Sequence, residues 1–193
     1  VKVFFEPGDH FAKVRTMEKS GNVEWDLAGA VSLYEILLGE EEGILEPLDY
    51  NIIDTTDLIE GGLHPYGIAK AFYSTVLAYN TNSYPKGNHP KSWKDFWDAK
   101  KFPGRRALRK DPFNNLEWAL LADGVPADKL YPLDIDRAFR SLDKIKPYVN
   151  VWWSAGAQPA QLLTDGEVDM ASAWNGRIYN VKKEGAPVEI EWN

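Results

Sequence analysis

The chain has 193 residues, 44% hydrophobic and 13% aromatic, which is ample for a real core in one domain or two small ones. Its 22 basic and 29 acidic residues give a net charge of -7, which disfavours a nucleic-acid partner and mildly favours a cationic ligand. The absence of cysteine excludes disulfides and thiolate metal sites, and is compatible with an oxidising compartment where a stray thiol is a liability.

Val1 to Phe5 reads as a strand, and Glu6-Pro7-Gly8-Asp9 as a turn that places Asp9 as a helix cap. The following helix carries Phe11, Val14 and Met17 and closes at Ser20 to Asn22. Trp25 to Val31 reads as a short apolar strand, Leu33 to Leu38 as an apolar helix, and Glu40 to Glu42 as its solvated end. Ile44, Leu45 and Leu48 are hydrophobic pegs in a surface loop. His64 has no partner at metal-ligand spacing, which favours a structural or solvent-facing role. Ala71 to Tyr79 is a second β-rich run. The Asn, Gly and Pro residues between Asn80 and Pro90 break it, placing a boundary that divides the chain into residues 1–82 and 83–193.

Ser92 caps a helix with Trp93 and Trp97 on one face, the spacing that core packing requires, and Asp95 makes a capping-box variant. Arg105 to Asp111 is a predicted strand, followed by helices at Leu116 to Asp123 and Asp134 to Ile145 and a strand at Val149 to Trp152. Gln158 to Leu163 is a short amphipathic helix, and Val168 to Trp174 a buried strand. Asn175 and Gly176 are expected to turn the backbone sharply before a helix at Arg177 to Gly185. Helix and strand alternate throughout, so the fold class is α/β with parallel strands, whose carboxyl ends are where open sheets bind ligands.

No run approaches the ~18–20 apolar residues of a membrane span, and the amino terminus shows no signal core. Nucleophile-elbow, phosphate-loop, dinucleotide and zinc-protease motifs are also missing. Trp174 fits either core packing or a ligand platform. With Tyr34 and Asp111 it offers what an organic cation needs, aromatic faces and a carboxylate. Gln158 fits either a ligand contact or a helix coat, and the basic run Arg105, Arg106, Arg109 and Lys110 fits a solvated strand edge or an anion site. Because carboxylate pairing is spatial, a carbohydrate hydrolase with a Trp-lined cleft stays open as the alternative.

The runs STVLAYNTNSYP, SWKDFWDAKKFPGRRALRKD and GEVDMASAWNGRIYNVKKEGAPVEIEW resemble the spermidine/putrescine-binding proteins of ABC importers, over nearly the whole chain. The resemblance implies a type II periplasmic-binding-protein-like fold, two α/β lobes joined by crossing strands, with the first lobe incomplete. It implies a solute carrier rather than an enzyme, located in the periplasm after loss of a signal peptide, with no cofactor or metal. Its partners are then a small polar ligand, a polyamine or related amine, and the membrane permease subunits. By this likeness Trp174 stacks on the ligand, Asp111 pairs with a ligand amine, and Ser32 and Tyr34 face the cleft from the first lobe. Asn175 and Gln158 join the site. Asn114 stands where spermidine binders carry a second acid, a departure that shifts the expectation toward a smaller amine, an amino-acid derivative or an anion-bearing ligand.

Overall fold

The computed structural model describes residues 9–29, 31–85 and 87–192, so the strand expected at Val1–Phe5 and the turn through Gly8 lie outside the described residues. The chain divides into two compact units, 1–72 and 73–193. The strand that sequence reasoning grouped with residues 1–82 finds both of its hydrogen-bonded neighbours within the second unit.

In the first unit, Asp9 caps α1 (His10–Ser20) by accepting from the Ala12 amide at 2.9 Å, and Gly21 closes the helix at φ 67°. Helix α2 (Leu33–Glu41) opens on a capping box. The Ser32 hydroxyl oxygen accepts from the Glu35 amide at 3.3 Å, and the Glu35 carboxylate accepts from the Ser32 amide at 2.6 Å. Leu45 packs directly on Gly39, where a Cβ would lie 2.5 Å from its Cδ1, so one of the predicted pegs fills a glycine notch. Glu42 is drawn from the solvated run into a pair with Arg15, whose Nε donates at 2.7 Å.

The expected strand at Trp25–Val31 does not form among the described residues. Asp26 and Gly29 interrupt it and Leu27 is 79% exposed, so the segment has no face to bury. Trp25 packs edge-on against the His10 ring instead. A hairpin of two-residue strands, β1 (Leu63–His64) and β2 (Gly67–Ile68), was not anticipated. His64 accepts from the Tyr66 amide and lies 3.7 Å from Glu40, consistent with a structural residue.

The second unit is built on a five-stranded mixed sheet. Its strands in chain order are β3 (Thr75–Asn80), β4 (Arg106–Arg109), β5 (Val149–Trp153), β6 (Met170–Trp174) and β7 (Val188–Glu191), and their spatial order is β5-β4-β6-β3-β7. Strands β5, β4 and β6 are parallel, whereas β3 runs antiparallel to β6 and β7 on either side. On one face, α6 (Gln158–Thr164) and α7 (Asn175–Lys183) bury Leu162, Leu163 and Ile178 against Ala78, Ala107, Ala171 and Ala173. The small strand residues let both helices sit close. The other face carries an aromatic core. Trp93 of α3 (Trp93–Trp97) stacks on Trp118 of α4 (Asn115–Ala122) at 4.0 Å, and Trp97 donates its indole N–H to the Ser141 carbonyl of α5 (Ile135–Ile145) at 3.1 Å. Both helical Trp are thus packing residues.

Two polar anchors organise the turns. The Arg106 guanidinium, 1% exposed, donates to the carbonyls of Phe96, Phe102 and Gly104, fastening the turn before β4 under the sheet. The Asp169 carboxylate accepts from the Ser83 hydroxyl at 2.5 Å and the Arg105 amide at 2.7 Å. His89 stacks on Tyr79 at 4.5 Å and hydrogen-bonds Glu191 at 2.8 Å, tying the loop after β3 to β7. No helix among the described residues is long and apolar enough to cross a membrane.

Two outcomes follow for stability. Hydrogen exchange of the whole chain should find the amides of β3, β4 and β6 slowest, and those of residues 9–72 faster by roughly tenfold or more, because the described residues of the first unit bury few side chains and form only two-residue strands. Equal protection of the two units would contradict this. Asp169 supplies a pH test. Burial alone would raise its pKa, but the hydrogen bonds from Ser83 and Arg105 outweigh burial and hold it below the ordinary carboxylate value. Its stabilisation is therefore present above about pH 4 and lost as pH falls through the depressed value. Urea midpoints of wild type and Asp169→Asn should differ at pH 7 and converge as pH falls through that depressed value.

Candidate functional site

The carboxyl ends of β4, β5 and β6 lie at one edge of the sheet, because the three strands are parallel. Thr75 pairs with Trp174, so β3 also begins at this edge. Arg109, Asp111, Asn114, Gln158, Trp174 and Asn175 all issue from these strand ends or from the turns that follow them.

Trp174 ends β6 and is partly buried, packed against the core yet surrounded by functional groups. Its six-membered ring lies against Gly156, where an added Cβ would be 1.9 Å from Cζ3, so only glycine fits beneath the indole. Trp153, fully buried, meets it edge-on at 6.0 Å, and the exposed Tyr73 ring approaches to 5.7 Å. The Arg109 guanidinium stands 6.0 Å from the Trp174 ring centroid and 5.9 Å from that of Trp153. Underneath, the buried Ser172 hydroxyl oxygen accepts from both the Arg109 amide and Trp153 Nε1. A cation held at two indoles is the geometry of a cation–π site whose cation the protein itself provides.

Asp111 lies 3.5 Å from Arg109 and accepts from the Phe113 amide at 2.9 Å. Asn114 adopts a left-handed conformation, φ 66°, as it starts α4, and its side chain makes no cap. The next residue, Asn115, is 2% exposed, and its Nδ2 donates to the carbonyls of Arg109 and Asp111 at 2.7 and 2.8 Å. That clamp fixes the end of β4 from which both charged side chains project. Gln158 is exposed at the start of α6 and accepts from the Ser154 amide at 3.3 Å.

Asn175 departs from its expected role. No sharp turn forms at Asn175-Gly176; α7 begins at Asn175 itself, because Trp174 in extended geometry serves as its cap. Asn175 instead holds Ser74 reciprocally, its Oδ1 accepting from the Ser74 amide and its own amide donating to the Ser74 carbonyl, both at 3.0 Å. Ser32 and Tyr34 belong to the first unit. The Ser32 hydroxyl is engaged in the α2 cap, and Tyr34 is 66% exposed.

Sequence reasoning missed Gly156, Tyr73 and Asn115 as site residues and left Arg109 between two roles. Arg109 had a signal, being the last position of a strand that points at the same edge as Trp174. Among the described residues, no group of three or more His, Asp or Glu is placed to hold a metal. Among the described residues, the carboxylate pKa values that are displaced are displaced downward. Hydrogen bonds act at Glu42, Asp54 and Asp123, and at Asp95 and Asp169 they overcome the opposing effect of burial. A glycoside-cleaving acid needs the opposite shift.

A sequence profile of bacterial extracellular solute-binding proteins matches residues 1–193. The chain is 42% identical over 193 residues to the gamma-aminobutyric acid-binding protein of Pseudomonas aeruginosa, covering 97% of this chain and 54% of that protein. It is 29% identical over 188 residues to spermidine/putrescine-binding periplasmic protein 1 of Haemophilus influenzae, covering 93% and 50%. The crystal structure of an ABC transporter substrate-binding protein from Bradyrhizobium japonicum superposes with a TM-score of 0.83 at 52% identity, covering 94% of this chain and 56% of that one. The chain spans about half the length of the curated relatives it matches.

The glycine under the indole is directly testable. Gly156→Ala should destabilise by about 1–3 kcal/mol through overpacking and displace the Trp174 resonance, whereas Gly176→Ala, with no atom within 4 Å, should be neutral or slightly stabilising. Thermal unfolding and indole NMR of the two variants check the pair.

Proposed function

Since this chain belongs to the bacterial extracellular solute-binding protein family and has its type II periplasmic-binding-protein fold, we propose that it is part of the ligand-capturing component of an ABC importer. In this reading the complete protein works outside the cytoplasm, in the periplasm. It closes two lobes on a small polar amine and delivers the amine unaltered to membrane permease subunits. Trp174, Asp111, Asn114, Asn175 and Gln158 are proposed to meet the ligand from the second lobe, and Ser32 and Tyr34 from the first.

The ligand class favoured is an amine that also carries a carboxylate. The observation that carries it is Arg109 poised at the Trp174 and Trp153 rings. A second cation about 6 Å from that guanidinium is repelled by about 3 kcal/mol at an effective dielectric of about 20, and a carboxylate is attracted by a similar amount. Asp111 offsets part of this field and supplies the natural partner for an ammonium. With Asn114 in place of a second acid, the neighbouring Asp111 carboxylate and Arg109 guanidinium match a zwitterion better than a diamine or triamine. The 42% identity to a gamma-aminobutyric acid-binding protein supports the same choice, and the polyamine reading rests on the more distant 29% relative.

Calorimetry of the full-length protein should detect saturable binding of 4-aminobutanoate tighter than that of butane-1,4-diamine or spermidine. Arg109→Gln should weaken the amino acid by about 30-fold or more while leaving the diamine unchanged or improved. Tighter binding of the diamine by wild type, with no effect of Arg109→Gln, would sink the carboxylate assignment.

A further inference from the structure

Buried polar side-chain atoms normally find partners, and those that do not call for an explanation such as an absent ligand. Among the described residues, two buried side-chain atoms lack one: Trp174 Nε1, a donor, and Asn115 Oδ1, an acceptor. Both belong to residues that touch Arg109. Trp174 carries its guanidinium at 6.0 Å from the ring, and Asn115 binds its carbonyl. The other indoles held in the core set the contrast, since Trp153 Nε1 donates to Ser172 at 3.1 Å and Trp97 Nε1 to the Ser141 carbonyl at 3.1 Å. Trp153 and Trp97 thus have acceptors for their indole N–H groups, whereas the fully enclosed donor of Trp174 at the sheet's ligand edge is unmet.

The surroundings of the indole limit what else it can do. Gly156 lies against its six-membered ring, Trp153 meets it edge-on, and Tyr73 and Arg109 stand beside it. Much of the ring surface is already in contact with protein, which reduces the area left for stacking. The N–H remains, rigidly aimed because β6 and Gly156 hold the ring.

We infer that Trp174 selects the ligand through its N–H, which donates a hydrogen bond to a ligand carboxylate oxygen beside Arg109. This rests on the carboxylated-amine reading above and adds to it the atom that discriminates. Arg109 supplies a charge that attracts any anion. The indole N–H supplies direction, and a ligand without an oxygen acceptor leaves that donor unmet. Butane-1,4-diamine matches 4-aminobutanoate in chain length but has no such acceptor, so the two compounds isolate the contact.

The test uses the full-length protein labelled with 15N at the indole nitrogens. The Trp174 cross-peak is the one lost in Trp174→Phe, a variant that keeps an aromatic ring and removes the donor. Saturation with 4-aminobutanoate should move that peak downfield and slow its exchange with solvent, while the diamine at saturation should not. Trp174→Phe should lose about tenfold in affinity for the amino acid and little for the diamine. Calorimetric binding of 4-aminobutanoate with an unmoved Trp174 peak, or equal losses for both compounds in Trp174→Phe, overturns this inference alone. Absence of binding by wild type overturns the carboxylated-amine reading and this inference with it.

Discussion

The second unit depends on β3 being threaded antiparallel between β6 and β7. Its residues Val76 to Asn80 are all buried, and both of its edges are consumed by ladders, one to β6 from Thr75 to Tyr79 and one to β7 from Leu77 to Asn80. Residues alternate between the two cores, Leu77 and Tyr79 joining the aromatic side and Ala78 the helical side. A slip of one residue would exchange these faces, so the register is strongly determined. The same register sets Thr75 opposite Trp174 and thereby brings the start of β3 to the edge where the parallel strands end.

The edge around Trp174 is assembled from short-range necessities with a long-range result. Ser172 accepts from the Arg109 backbone and from Trp153, Asn115 clamps the last carbonyls of β4, and Gly156 vacates the space that the Trp174 ring fills. Each is a local packing or hydrogen-bonding solution. Together they hold a guanidinium at two indoles with the Asp111 carboxylate paired to it at 3.5 Å.

Much of this was legible in the chain itself. The Asp9, Ser32 and Ser92 caps were readable because capping is local, and the strand ending at Trp174 was readable from its run of small and apolar residues. Trp25–Val31 misled because apolar content alone does not make a strand without a neighbour to pair with. β7 was missed although Val188 to Glu191 alternates apolar and acidic side chains, because four residues make a short run and the strand they pair with, β3, lies more than a hundred residues back in the chain. Asn175-Gly176 looked like a turn, but the extended backbone of Trp174 starts a helix there. Gly156 and Asn115 were beyond sequence reasoning, since their roles are defined by atoms far along the chain: the Trp174 ring in one case and two backbone carbonyls in the other.

The reciprocal pair between Ser74 and Asn175 has a mechanical implication. It moors the chain to α7 just before β3 begins, one residue from the indole, with a two-point attachment that resists twisting as well as pulling. A backbone rotation at Tyr73 would have to break both of these bonds before it could reach β3. The strand beyond it is held by ladders on both edges, and the Trp174 ring lies one residue before the point of attachment on α7.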